Sequence, residues 1–148
     1  INSLSKKNIN YKILRLSNVY GKDLNSRGII PDLIKRMKKK SIVLENYQNE
    51  RDFIFIDDLC SIISKLMKIK KILITNVCFG KPIKIFNLAN LIKKTFDYNC
   101  KIILSNKRIY SKNKVSNPSN KFIKKLLKIK KLISIEEGLK ITKKNHFI

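Results

Sequence analysis

The chain has 148 residues, enough for one domain that buries roughly two thirds of the surface its unfolded form exposes. Hydrophobic residues make up 43%, too many for a disordered tail, while Lys and Asn interrupt every apolar stretch before it nears the about 20 residues of a membrane span. With no such span, no membrane partner is expected; the net charge of +24 would suit a polyanion, but it is almost all Lys spread along the chain, and no glycine-aromatic RNA-reading run accompanies it, so no specific nucleic-acid partner is expected either.

Residues 11 to 19, YKILRLSNV, are β-prone and apolar on both sides, as in a strand buried in a parallel sheet, and Gly21 closes it. Behind Pro31, the apolar positions Ile29, Ile30, Leu33, Ile34 and Met37 recur at helical spacing. SIVLE (41 to 45) and DFIFI (52 to 56) read as short strands. Asp57 or Asp58 then caps a helix carrying Leu59, Ile62, Ile63, Leu66 and Met67 on one face.

ILITNVCFG (72 to 80) is a second buried strand, stopped by Gly80 and Pro82, and 85 to 96 is an amphipathic helix. KIILS (101 to 105) is a strand, 106 to 118 a loop rich in Asn, Ser and Lys, and helices near 119 to 128 and 135 to 145 finish the chain. Alternating strands and helices predict an α/β fold, with no internal repeat and no linker. Cys60, Cys78 and Cys100 are far apart and His146 is the sole histidine, so reduced, mostly buried thiols of a cytoplasmic protein are expected, and no metal site.

Three segments carry a larger pattern. LRLSNVYG (14 to 21), RDFIFIDDL (51 to 59) and SIEEGLKIT (134 to 142), with IIP (29 to 31) and TNVCFGKPIKIFNLANLI (75 to 92) between them, resemble the C-terminal half of the NAD-dependent epimerase/dehydratase family. These extended short-chain dehydrogenases remodel nucleotide-linked sugars. The resemblance implies that the strands near 11–19 and 72–80 are the last of a Rossmann-type parallel sheet, and that 22–71 and 97–148 build most of a small substrate-binding domain. The fold class expected is therefore α/β.

The resemblance also implies roles for particular residues. Arg51 would reach the diphosphate of a UDP- or dTDP-sugar, where a guanidinium can donate two parallel hydrogen bonds; a surface salt bridge with Glu50 or Asp52 is the simpler alternative. Asn18 would hydrogen-bond the phosphate region from a strand end, and Asp52 would hold its own strand. Leu16 and Ser17 would pass the nicotinamide of NAD or NADP. Ile29 and Leu44 would lie near the nucleotide base, although Ile29 could equally be core. Arg108 resembles the second phosphate-contacting arginine of an R-x-x-D pattern whose aspartate is here Ser111. Lys22 stands where a proline is usual, and ENYQNE lacks the glycines common before the arginine.

Two family features are not found. Gly21, Gly28, Gly80 and Gly138 cannot build a glycine-rich phosphate turn. Tyr110 and Lys114 match Tyr-x-x-x-Lys, but they sit in the Asn/Ser/Lys loop, whereas the family's catalytic pair precedes the LRLSNVYG strand on a helix. No catalytic residue is therefore assigned. The pair is expected upstream of Ile1, in a longer chain that would be a homodimer.

Overall fold

The computed structural model describes residues 11–23, 27–71, 73–105 and 118–146. In chain order these form β1 (Lys12–Leu16), β2 (Asn18–Tyr20), α1 (Ile29–Arg36), β3 (Ser41–Leu44), β4 (Glu50–Arg51), β5 (Phe53–Phe55) and α2 (Ile56–Met67). They continue as β6 (Leu73–Val77), β7 (Ile83–Lys84), α3 (Ile85–Thr95), β8 (Lys101–Leu104), α4 (Lys121–Leu127) and α5 (Ile135–His146). The architecture is α/β, as the alternating pattern implies.

Three strand pairs are parallel, β1 with β6, β2 with β5 and β3 with β8, and β4 with β7 is antiparallel. The stretch 11–19 is not one strand. The Ser17 N–H donates to the Val77 carbonyl at 3.1 Å, the last bond toward β6, and the next N–H, of Asn18, donates to the Asp52 carbonyl at 3.1 Å, on the β5 side. The backbone thus changes partner strand between adjacent residues. Nor is the sheet buried on both faces, since Leu16 is 49% and Ile74 46% exposed. Among the described residues β1 pairs with β6 alone, so its other edge is uncovered.

Two apolar clusters fill the interior. One joins α1, α3 and β3 to Tyr20, Phe53, Phe55 and Leu139, the other joins Ile54, Leu59, Ile62 and Leu66 to Val77, Ile123 and Leu132. The three residues of β5 divide between them, because alternate strand side chains point to opposite faces. Each fully buried Leu, Ile or Phe contributes roughly 1.5–3 kcal/mol, so β5, buried at every position, ties both clusters together.

The double aspartate does not cap α2. Phe55 occupies the cap position in extended backbone with no side-chain hydrogen bond, so the strand runs straight into the helix. Asp57 pairs with Lys22 at 3.5 Å, and Asp58 accepts the Ile133 N–H at 2.7 Å. Both carboxylates still lie in the first turn, where the helix dipole favours them. Cys78 and Cys100 are buried, whereas Cys60 is exposed on α2.

Candidate functional site

Asp52 organises the region where β1, β2, β5 and β6 meet. It is 1% exposed, and its carboxylate accepts three backbone N–H groups of one loop, Phe79 at 2.9 Å, Gly80 at 2.6 Å and Lys81 at 2.9 Å. Three charge-assisted hydrogen bonds satisfy this buried carboxylate. Its main-chain carbonyl meanwhile accepts the Asn18 N–H and, at 2.9 Å, the Asn18 side-chain Nδ2. One residue therefore fixes both Asn18 and the turn after β6.

The turn is tied from the other side as well. Gly80 adopts φ +85, and a Cβ there would meet the Asn120 side chain at 2.9 Å. Asn120 Nδ2 donates to the Phe79 carbonyl, and the Cys78 thiol lies 3.4 Å from the Pro118 carbonyl. Burial, with the Asp52 charge behind it, pushes the Cys78 thiol up to about 11, so it stays protonated and serves as packing rather than as a nucleophile.

Arg51 is half-buried on β4, opposite Ile83 of β7, with Nη1 donating to the Glu50 carbonyl at 2.9 Å. Asn18 is exposed at the start of β2. Leu16 ends β1 with half its surface exposed, and the buried Ser17 Oγ has no hydrogen-bond partner among the described residues. Leu16, Ser17, Asn18 and Arg51 thus gather around the partner switch. Ile29, at the first position of α1, packs against the first cluster, and Leu44 is 3% exposed within it. Both belong to the core in this structure. Arg108, Tyr110, Ser111 and Lys114 lie outside the described residues.

The C-terminal segment closes over the opposite side of β2. Tyr20 Oη donates to the Ser134 carbonyl at 3.4 Å, and a Cβ on Gly138 would come 2.0 Å from that hydroxyl, so only glycine lets α5 approach. Thr142 Oγ1 hydrogen-bonds the Gly21 carbonyl at 3.0 Å. Ser134 and Glu137 form a reciprocal capping box, each side chain accepting the other's N–H. Glu137 is held down at about 2 by Lys131, with Ser134 adding to the effect, whereas burial raises Asp58 nearby. Burial first, and then the charges of Asp58 and Glu137, raises the Tyr20 phenol. Asp58, Lys131, Glu137, Lys140 and Ile141 border an open groove of about 420 Å³ that contains none of the residues expected at the site.

Sequence reasoning missed the reach of Asp52. An aspartate beside an arginine suggests a local pair, and nothing in the string points to a turn 27 residues later.

The profile of the NAD dependent epimerase/dehydratase family matches residues 2–78. The chain belongs to this family. Its fold is similar to UDP-glucose 4-epimerase of Thermotoga maritima, solved with UDP-glucose, at TM-score 0.82 and 23% identity, covering 97% of this chain and 48% of that one. RMD of Pseudomonas aeruginosa, complexed with NADPH, matches at TM-score 0.81 and 16% identity, over 97% of this chain and 50% of that one. UDP-N-acetylglucosamine 4-epimerase of Methanobrevibacter ruminantium M1, in complex with UDP-N-acetylmuramic acid, matches at 0.80 and 22%, over 99% and 49%. The chain spans about half the length of these structures. No curated protein matches it in sequence.

The described residues fit only one flank of a dinucleotide. Leu16 offers apolar surface and Ser17 an unsatisfied hydroxyl at the carboxyl end of β1, where ligands sit in open α/β sheets. A pyrophosphate cradle does not fit. Gly21 is wedged against Ile56, Gly80 against Asn120 and Gly138 against Tyr20, while Gly28 caps α1.

Proposed function

We propose that this chain is the nucleotide-sugar-binding part of an NAD(P)-dependent epimerase or dehydratase, taking a UDP- or dTDP-sugar. The observation that carries the reading is the Asp52 junction, which fixes Asn18 at a strand end, with Arg51, the residue before Asp52, on β4. The Arg51 guanidinium would donate to diphosphate oxygens and the Asn18 amide would hydrogen-bond beside it, with Arg108 a second cation. Neither residue moves a proton in this reading; they bind and orient. Ile29 and Leu44 would shape the base pocket through packing rather than direct contact.

The bound dinucleotide supplies hydride chemistry. The acid/base pair and the glycine turn belong, in this reading, to the polypeptide that completes the sheet of a homodimeric enzyme, so residues 1–148 alone bind without turnover. A non-catalytic nucleotide-sugar-binding module is the second reading, favoured by the structural employment of all four glycines.

Calorimetric titration of UDP-glucose and dTDP-glucose into the chain tests the assignment. Binding that Arg51→Ala weakens by about 2 to 4 kcal/mol, with Arg51→Lys recovering part, is expected. A folded Arg51→Ala protein that binds both nucleotides as the parent does would remove Arg51 from the site.

A further inference from the structure

Two seven-residue segments are nearly the same, KLMKIKK at 65–71 and KLLKIKK at 125–131, differing only where Met67 stands against Leu127. The sequence reading expected no internal repeat, because each copy is submerged in a Lys- and Ile-rich background. The fold places them alike. Each copy ends a helix, α2 or α4, and runs past its C-cap, and each sends its isoleucine, Ile69 or Ile129, against the second apolar cluster. The two helices pack against each other. All eight lysines are exposed, and among the described residues only Lys131 holds a carboxylate, that of Glu137.

A helix C-terminus favours one or two cations in its last turn, which leaves the lysines beyond the caps unexplained. Counter-charge lies at the Lys131 end, where Glu137 and Asp58 border the same groove, and is scarce along the rest of the two segments. From residue 59 to residue 135 Asp97 is the sole acidic residue, and it pairs with Lys143. The same helices expose apolar side chains one turn apart, Ile63 and Met67 on α2, the latter at 77%, and Phe122 and Leu126 on α4, the former at 56%.

We propose that the paired C-terminal ends of α2 and α4 form a docking face for an anionic lipid bilayer. Clustered lysines gain from a negatively charged headgroup surface, and neighbouring Met, Phe and Leu side chains gain from entering the acyl boundary. Single-stranded nucleic acid is the poorer fit, since its readers combine several aromatic stacking platforms with arginine, and this face holds no arginine and Phe122 as its one exposed aromatic residue among the described residues. No helix among the described residues is long and apolar enough to cross a membrane, so the contact is with the surface. The sequence-based expectation of no membrane partner rested on that lack of a span, which does not bear on surface docking.

Co-sedimentation of the 148-residue chain with phosphatidylcholine vesicles, with and without about 30% phosphatidylglycerol, tests the proposal. Binding is expected only to the anionic vesicles and should weaken as salt rises from about 0.1 M to about 0.5 M. Replacing Lys68, Lys70, Lys71, Lys125, Lys128 and Lys130 by Gln should lower partitioning at least about tenfold. Lys35→Gln, Lys38→Gln and Lys39→Gln together, which remove exposed charge elsewhere, should leave it within about twofold. Met67→Ser with Phe122→Ser should also reduce it by about tenfold at unchanged charge. All these positions are exposed, and an unchanged circular dichroism spectrum confirms that the variants fold. Equal binding to neutral vesicles, or equal losses for the two lysine sets, overturns the assignment. So does a Met67/Phe122 variant that binds like the parent, or an oligoribonucleotide bound more tightly than the vesicles with no dependence on Met67 and Phe122.

Discussion

Asp52 and Asp58 lie six residues apart in one string, yet they do different work. Asp52 is buried, spends its carboxylate on three N–H groups of the 79–81 turn, and draws Asn18 onto its own carbonyl. Asp58 is only partly covered, accepts the single N–H of Ile133, and faces the charges of Asp57 and Glu137. What separates the two is the supply of oriented backbone donors, since a carboxylate with enough of them is a fastener while Asp58, raised first by its burial and then by the like charges of Asp57 and Glu137, has one backbone donor against them and is strained toward its protonated form. The proposed ligand contacts depend on the first kind. The docking of α5 involves the second.

Removing the stronger fastener should have the largest effect. Asp52→Ala leaves three N–H groups of a partly buried turn without their acceptor and empties a buried site, a loss of about 3 to 5 kcal/mol, read as a lowered midpoint in urea denaturation. Asp52→Asn keeps one acceptor oxygen but turns an amide NH₂ toward a donor, and should recover less than half. If Asp52→Asn were as stable as the parent, the carboxylate charge would not be what holds the turn.

The α5 side is held mainly by shape, and Gly138→Ala tests it. The new Cβ meets Tyr20 Oη at 2.0 Å and Cζ at 2.7 Å, so a cost of about 2 to 4 kcal/mol is expected in thermal or urea unfolding. Adding Tyr20→Phe removes the nearest atom and should restore part of the loss, though not all, because the ring carbon still crowds. A Gly138→Ala protein with parental stability would mean that α5 can shift away from β2 at little cost.

The sequence revealed elements better than it revealed joints. Helices α1, α2 and α3 are legible because apolar residues recur every three or four positions, although the buried face of α2 is narrower than that spacing implies, Leu59, Ile62 and Leu66 being covered and Ile63 and Met67 exposed. The break at Ser17 is not legible, since YKILRLSNV is strand-like throughout and only the positions of β5 and β6 decide where the partner changes. The double aspartate matched a capping pattern, but a cap needs a turn before the helix and Phe55 provides continuous extended chain instead. Leu16, Ser17, Asn18 and Arg51 come from the family resemblance; the Asp52 contacts that fix Asn18 and the 79–81 turn are tertiary and no local spacing encodes them.

The smallest effect sharpens the contrast through pH. Glu137 has its folded pKa lowered, to about 2 against an ordinary 4.5, so its contribution is present above the ordinary value and is lost as pH falls from there toward 2. Asp58 has its folded pKa raised, so the folded protein binds that proton more tightly than the unfolded chain does. Its ionised form therefore opposes folding, and the penalty fades as pH falls through the raised value toward 3.8. The two groups oppose each other across the acid range. Glu137→Gln should lower Tm at pH 7 and flatten the fall in Tm between pH 5 and pH 3 by roughly the share one exposed, hydrogen-bonded carboxylate supplies. Asp58→Asn keeps an acceptor for the Ile133 N–H without the charge, so it should raise Tm slightly at pH 7, where the ionised carboxylate opposes folding, and steepen the acid fall, because the gain from protonating Asp58 is gone. Tm profiles of parent, Glu137→Gln and Asp58→Asn from pH 7 to pH 3 decide the matter: if both substitutions bent the profile in the same direction, Asp58 would be a second stabilising carboxylate, and its distinction from Asp52 would collapse.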